Sequence, residues 1–146
     1  MFNFFKKNDV EVDDRKFLFD TELISCALAY EVAVSDGEID DNELHKIKSE
    51  IFKKSQQLNL NPDDVLETIE HQNAESISFN DFVNQINDNF SQDQKIQMIE
   101  FLWQTAYADN VLDVDEERLI RRIADMIKIK DMMVLKLKDQ AKTNKT

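Results

Sequence analysis

Apolar residues recur every three or four positions along most of this chain, with polar residues between them, and the pattern predicts about seven helices. The first begins near Asp13 or Asp14 and runs to about Val34. From Leu23 to Val34 only Ser25 and Glu31 are clearly polar, and a helix apolar on nearly every side belongs in the middle of a bundle. The second runs to about Gln57 with a stripe of Leu44, Ile47, Ile51 and Phe52. Asn61-Pro62-Asp63-Asp64 opens the third, lined by Val65, Leu66 and Ile69: a cap residue, a proline that gives up no needed N–H, and acids in the first turn. Ser78 opens the fourth, whose buried face is Phe79, Phe82, Val83 and Ile86.

Ser91 with Gln94 has capping-box spacing and opens the fifth helix, which carries Ile96, Ile99, Phe101, Leu102, Trp103, Ala106 and Tyr107 and is again apolar on most sides. The sixth holds Leu119, Ile120, Ile123, Ala124 and Ile127. The seventh opens at Asp131 with Met132, Met133, Leu135 and Leu137. Ser76-Ile77-Ser78-Phe79 alternates but is too short to stand as a strand. The expected class is all-α, with residues 1–12 as a leader, 13–140 as one helical domain and 141–146 as a frayed polar tail.

Two of the helix-to-helix connections share one acidic pattern. Asp36-Gly37-Glu38-Ile39-Asp40-Asp41-Asn42-Glu43 returns 73 residues later as Asp109-Asn110-Val111-Leu112-Asp113-Val114-Asp115-Glu116. Both read acid, Gly or Asn, any residue, aliphatic, Asp, two residues, Glu. The correspondence extends outward: Tyr30 aligns with Trp103, Ala33 with Ala106 and Ile47 with Ile120. The expected architecture is a pseudo-symmetric bundle of two helix–acidic turn–helix units joined by the third and fourth helices.

These acids admit two readings. In the first they are structural. Asp40 and Asp113 are good N-caps, each worth about 1 kcal/mol, and Glu43 and Glu116 stand at the N3 position of a capping box. Gly37 and Asn110 suit a positive φ, and Asp36 and Asp109 can close Asx-turns. In the second they hold a cation. Asp36 and Asp109 follow helix C-termini, where the macrodipole disfavours anions by about 0.3–1 kcal/mol. Glu38, Asp41, Asp115 and Glu117 add charge that capping does not require. Hard carboxylate and carbonyl oxygens suit Ca²⁺ or Mg²⁺, with Asp36, Asp40, Glu43, Asp109, Asp113 and Glu116 as the candidate ligands. The spacing is not that of an EF-hand loop.

Charge and composition narrow the function classes. The net charge of -12 disfavours nucleic acid and favours cations or a basic protein partner. With one glycine there is no Gly-rich phosphate loop, and with one cysteine no internal disulfide. Cys26 lies in an apolar run and reads as a core residue. His45 and His71 are preceded at three residues by Asn42 and Thr68, so the Glu-x-x-His pairs of a di-metal bundle are missing. No run of about 18–20 apolar residues could span a membrane. Phe2, Phe4 and Phe5 beside Lys6 and Lys7 would give at most marginal surface binding. The basic concentration is at the end: Lys128, Lys130, Lys136, Lys138, Lys142 and Lys145.

Ala33-Val34-Ser35-Asp36-Gly37-Glu38-Ile39-Asp40-Asp41-Asn42-Glu43 and Ala106-Tyr107-Ala108-Asp109-Asn110-Val111-Leu112-Asp113-Val114-Asp115-Glu116 resemble the signature of the TerB-like family. That family includes tellurite-resistance protein TerB and the N-terminal domain of the membrane-anchored co-chaperone DjlA. The resemblance covers about residues 14–137. It implies a helical, non-enzymatic domain of bacterial origin, with divalent cations held by the six mapped acids. It also implies a role in stress or tellurite resistance, in the cytoplasm or peripheral to the inner membrane, and a protein partner. The second copy departs by carrying Asn110 where the family has Gly, and the His-Pro-Asp tripeptide of co-chaperones is absent. The alternative is a metal-free acidic protein–protein scaffold whose paired turns are helix caps only.

Overall fold

The structure is a computed structural model that describes residues 21–35, 37, 39–74 and 79–143. Among the described residues there are seven helices and no strand: α1 (Thr21–Ala33), α2 (Asp41–Leu58), α3 (Pro62–Ala74), α4 (Phe79–Asn89), α5 (Gln92–Ala106), α6 (Val114–Met126) and α7 (Asp131–Thr143). The onset of the first helix near Asp13, the leader, the start at Ser78, and the residues Asp36 and Glu38 lie outside the described residues.

Local signals set the helix boundaries. Asn61 Oδ1 accepts from the N–H groups of Asp63 and Asp64 at 2.8 and 3.2 Å, satisfying donors that have no partner inside α3. Ser91 and Gln94 form the complete reciprocal box at the start of α5, at 3.1 and 2.8 Å. α2 ends on Asn59 in the left-handed region (φ 59°), where the Leu60 N–H reaches back to Ser55 O at 2.8 Å. α6 ends the same way through Lys128 (φ 68°) and Ile129, whose N–H reaches Ala124 O at 2.9 Å. Both are Schellman endings.

The apolar character of α1 explains its place. It touches α2, α3, α4, α5 and α6, and Leu23, Ile24, Cys26, Leu28 and Ala29 along it are fully buried. Burying one Leu or Ile side chain contributes about 1.5–3 kcal/mol, so α1 is the main hydrophobic anchor. α5 lies beside it and carries Ile99, Leu102 and Trp103 into the same core while also contacting α2, α6 and α7. Polar ties supplement the packing. Asn73 donates to Glu31 across α3 and α1 at 2.8 Å. Asn87 on α4 donates to the Met126 carbonyl at 3.2 Å.

Three apolar residues of the expected helices face outward. On α2 the buried line is Ile47, Ile51 and Ser55, each one helical turn from the last, and Phe52 is exposed. On α7 the buried face is Val134, Leu137 and Ala141, which leaves Met132 and Leu135 in solvent. Apolar spacing identifies a stripe, but a helix with neighbours on only one side covers only part of it. α7 continues to Thr143 with Ala141 buried, so the helix reaches beyond residue 140.

Candidate functional site: the paired acidic turns

Each turn is built by the helix before it and the helix after it. α1 and α5 release the chain through the same backbone contacts. Val34 N–H to Tyr30 O is 3.1 Å and Tyr107 N–H to Trp103 O is 3.0 Å. Ser35 to Val32 and Ala108 to Thr105 are 3.1 and 3.0 Å, and Gly37 to Val34 and Asn110 to Tyr107 are both 2.9 Å. Gly37 (φ 100°) and Asn110 (φ 70°) take the positive φ that the turn demands. Of the ordinary residues, Asn tolerates that region best, because its short side chain bonds locally.

The chain then enters the next helix through an aspartate cap. Asp40 Oδ2 accepts from Asn42 and Glu43 N–H at 2.8 and 3.3 Å, and Asp113 Oδ1 accepts from Asp115 and Glu116 N–H at the same two distances. Asp109 Oδ1 accepts from Val111 N–H at 3.0 Å, closing the expected Asx-turn. This bond also offsets the unfavourable placement of Asp109 after the α5 C-terminus, because a carboxylate accepting an N–H is favoured.

Glu43 and Glu116 behave in a way that helix capping does not require. Both are buried, at 3% and 2% exposure, with their Oε1 atoms inside the protein. Burying a carboxylate costs several kcal/mol unless it is compensated, and each of these two engages a partner. The sequence pattern marked their positions but not their burial. A glutamate at N3 of an exposed helix and one turned into a core have the same spacing.

The turns differ in their surroundings. Glu117, next to the second turn, accepts from Lys138 of α7 at 2.7 Å, and the same ammonium lies 5.8 Å from the centre of the Trp103 ring. Trp103 is fully buried, whereas its counterpart Tyr30 is half-buried. Val111 and Val114 at the second turn are exposed.

A divalent cation needs several oxygens gathered at one point. The second turn is described in full, and two of its acids already have oxygens committed to backbone N–H groups: Asp113 to two and Asp109 to one. Among the described residues no group of three or more His, Cys, Asp or Glu side chains stands close enough to hold a metal ion. In this arrangement the second turn does not present a formed cation site. Asp36 of the first turn lies outside the described residues.

The family model described as tellurite resistance protein TerB matches residues 22–139. The chain belongs to the TerB family. That span takes in both acidic turns and the helices around them, so the TerB match and the repeat coincide. No curated protein and no solved structure matches the chain.

Elsewhere in this TerB domain the reactive groups are quiet. Cys26 is buried among α1 neighbours, and burial, with Glu50 nearby, pushes its thiol up to about 12. It is therefore a neutral thiol at physiological pH and a poor nucleophile. Burial also raises the Glu31 carboxyl, with the hydrogen bond from Asn73 opposing the shift. No helix among the described residues is long and apolar enough to cross a membrane.

Proposed function

We propose that this TerB domain is a non-enzymatic interaction module in a bacterial stress response of the tellurite-resistance kind, with its two acidic turns as the elements that meet a basic protein partner. The reading treats the two helix–turn–helix units as a pseudo-symmetric pair. The observation that carries it is the match between the backbone contacts of the turns. Six corresponding hydrogen bonds, with Leu44 N–H to Asp40 O (2.9 Å) and Glu117 N–H to Asp113 O (3.0 Å) added to the five above, agree within 0.1 Å, which supports two like turns. Asp41 and Asp115 are exposed beside their caps, and Lys or Arg of a partner would meet Asp41 directly and Asp115 in competition with Arg118, 3.9 Å away. The net charge of -12 steers such a partner over several ångströms before contact.

The burial of Glu43 and Glu116 favours a second reading, in which Ca²⁺ or Mg²⁺ is held at the turns by Asp36, Asp40, Glu43, Asp109, Asp113 and Glu116. A buried acid is worth retaining where a cation compensates it, and Asp113 and Asp109 accept their backbone bonds through Oδ1, so that Oδ2 of each could face an ion.

One experiment separates the two. Thermal unfolding is followed with EDTA, Ca²⁺ or Mg²⁺ for the wild type and for Asp36→Asn with Asp109→Asn. If the turns act only as charged surfaces, neither ion at millimolar concentration raises the melting temperature. A rise of several degrees that the double variant abolishes establishes the cation reading. The interaction role itself is tested by affinity capture from the native host, with Asp41→Lys and Asp115→Lys as the control bait. If both baits retain the same partners, the turns are not the recognition surface.

A further inference from the structure

Among the described residues five large apolar side chains are exposed, and four of them fall into two pairs. Val111 (66%) and Val114 (61%) stand three residues apart at the second acidic turn, rimmed by Asp109, Asp113 and Asp115. Met132 (81%) and Leu135 (40%) stand three residues apart on the outer face of α7, in a groove lined by exposed Lys136 and Lys142 and by one acid, Asp139. Arg118 pairs with Asp115 at the first patch at 3.9 Å, and by net charge the first rim is acidic and the second basic. Lys138 is occupied by Glu117 and Trp103, but Lys136 and Lys142 form no ion pair among the described residues.

We infer that the outer face of α7 docks on the second acidic turn of another copy of this chain. Each patch pairs two exposed apolar side chains three positions apart in sequence, and the two rims oppose in net charge. The net charge of -12 opposes a second copy as it opposes an anionic membrane, so the contact rests on the local opposition of the two rims. The contact joins unlike surfaces, so it closes as a reciprocal dimer or extends head to tail. The patches are small against the roughly 1,200 Å² of a stable interface, which makes the association weak and dependent on concentration. Charged rims make it weaken with added salt as screening rises. It needs no cation and is independent of the reading given to the turns above.

Sedimentation equilibrium of the full chain in EDTA tests it, from about 10 µM to about 1 mM, the range in which weak contacts form. The weight-average mass of the wild type is expected to climb above the 17.2 kDa of one chain. Lys136→Glu with Lys142→Glu, and separately Val114→Lys with Asp115→Lys, are each expected to stay at that single-chain mass. Mixed in equal amounts, the two variants regain association, because one retains the native acidic turn and the other the native α7 face. Val111→Lys, outside any helix, provides a second variant of the acidic patch, and circular dichroism confirms that all three fold. A wild type that stays monomeric throughout overturns the inference, as do variants that associate like the wild type or a folded mixture that fails to recover. A monomeric wild type that binds phosphatidylserine vesicles through Lys136 and Lys142 would assign the face to a membrane instead.

Discussion

In their described residues the two acidic turns share their backbone contacts and differ in their neighbours. Both leave a helix through matched carbonyl contacts, pass a residue of positive φ, and enter the next helix under an aspartate cap with a buried glutamate at N3. Around the second, α7 supplies Lys138, Trp103 replaces Tyr30 in the core, and two valines are left in solvent. Local sequence is sufficient to repeat a turn. The elements packed against each turn give it a distinct chemical setting, and so a duplicated motif can carry two roles.

The comparison can be strained first at its most unequal pair. Trp103→Ala removes a fully buried side chain and should cost about 3–5 kcal/mol, whereas Tyr30→Ala, at the half-buried counterpart, should cost clearly less. Urea unfolding of the two variants measures the difference, and equal losses would mean that the two units are equally packed. The caps should behave alike. Asp40→Ala and Asp113→Ala are each expected to lose about 1 kcal/mol, with no dependence on added ions. A loss at only one of them would break the equivalence of the turns.

The positive-φ residues give a finer test. Gly37→Ala meets no steric obstacle, since nothing lies within 4 Å of the added Cβ, but φ 100° strains any L side chain. The expected loss is about 1 kcal/mol. Asn110→Gly, at φ 70°, should be within about 0.5 kcal/mol of neutral. Calorimetric melting temperatures would show both. The smallest effect is expected at Lys138→Ala, which removes a partly exposed ion pair and a cation–π contact beside the second turn. Together they should amount to about 1 kcal/mol or less, declining with salt. If this loss persists unchanged at high salt, Lys138 acts through packing rather than charge.

Much of this was legible in the residues. The starts at Asp40, Pro62, Ser91 and Asp113 carry cap chemistry that acts within a single turn of chain, and all four open helices within one residue of the expected place. The positive φ at Gly37 and Asn110 follows from the same local logic. The outward faces of Phe52, Met132 and Leu135 were not legible, nor was the inward turn of Glu43 and Glu116. Periodicity places these residues on a stripe or at a cap position. Which side of that stripe is covered depends on elements distant in sequence.

The sequence by itself determined the helical class, the punctuation of the helices, the TerB signature and the positive φ at Gly37 and Asn110, because each rests on contacts between residues a few positions apart. Only the tertiary structure decided the rest. It placed α1 at the centre, took two glutamates out of water, aimed Lys138 at Glu117 and Trp103, and left an acidic and a basic apolar patch exposed. Burial and charge pairing are properties of neighbours, and neighbours are chosen when the helices pack.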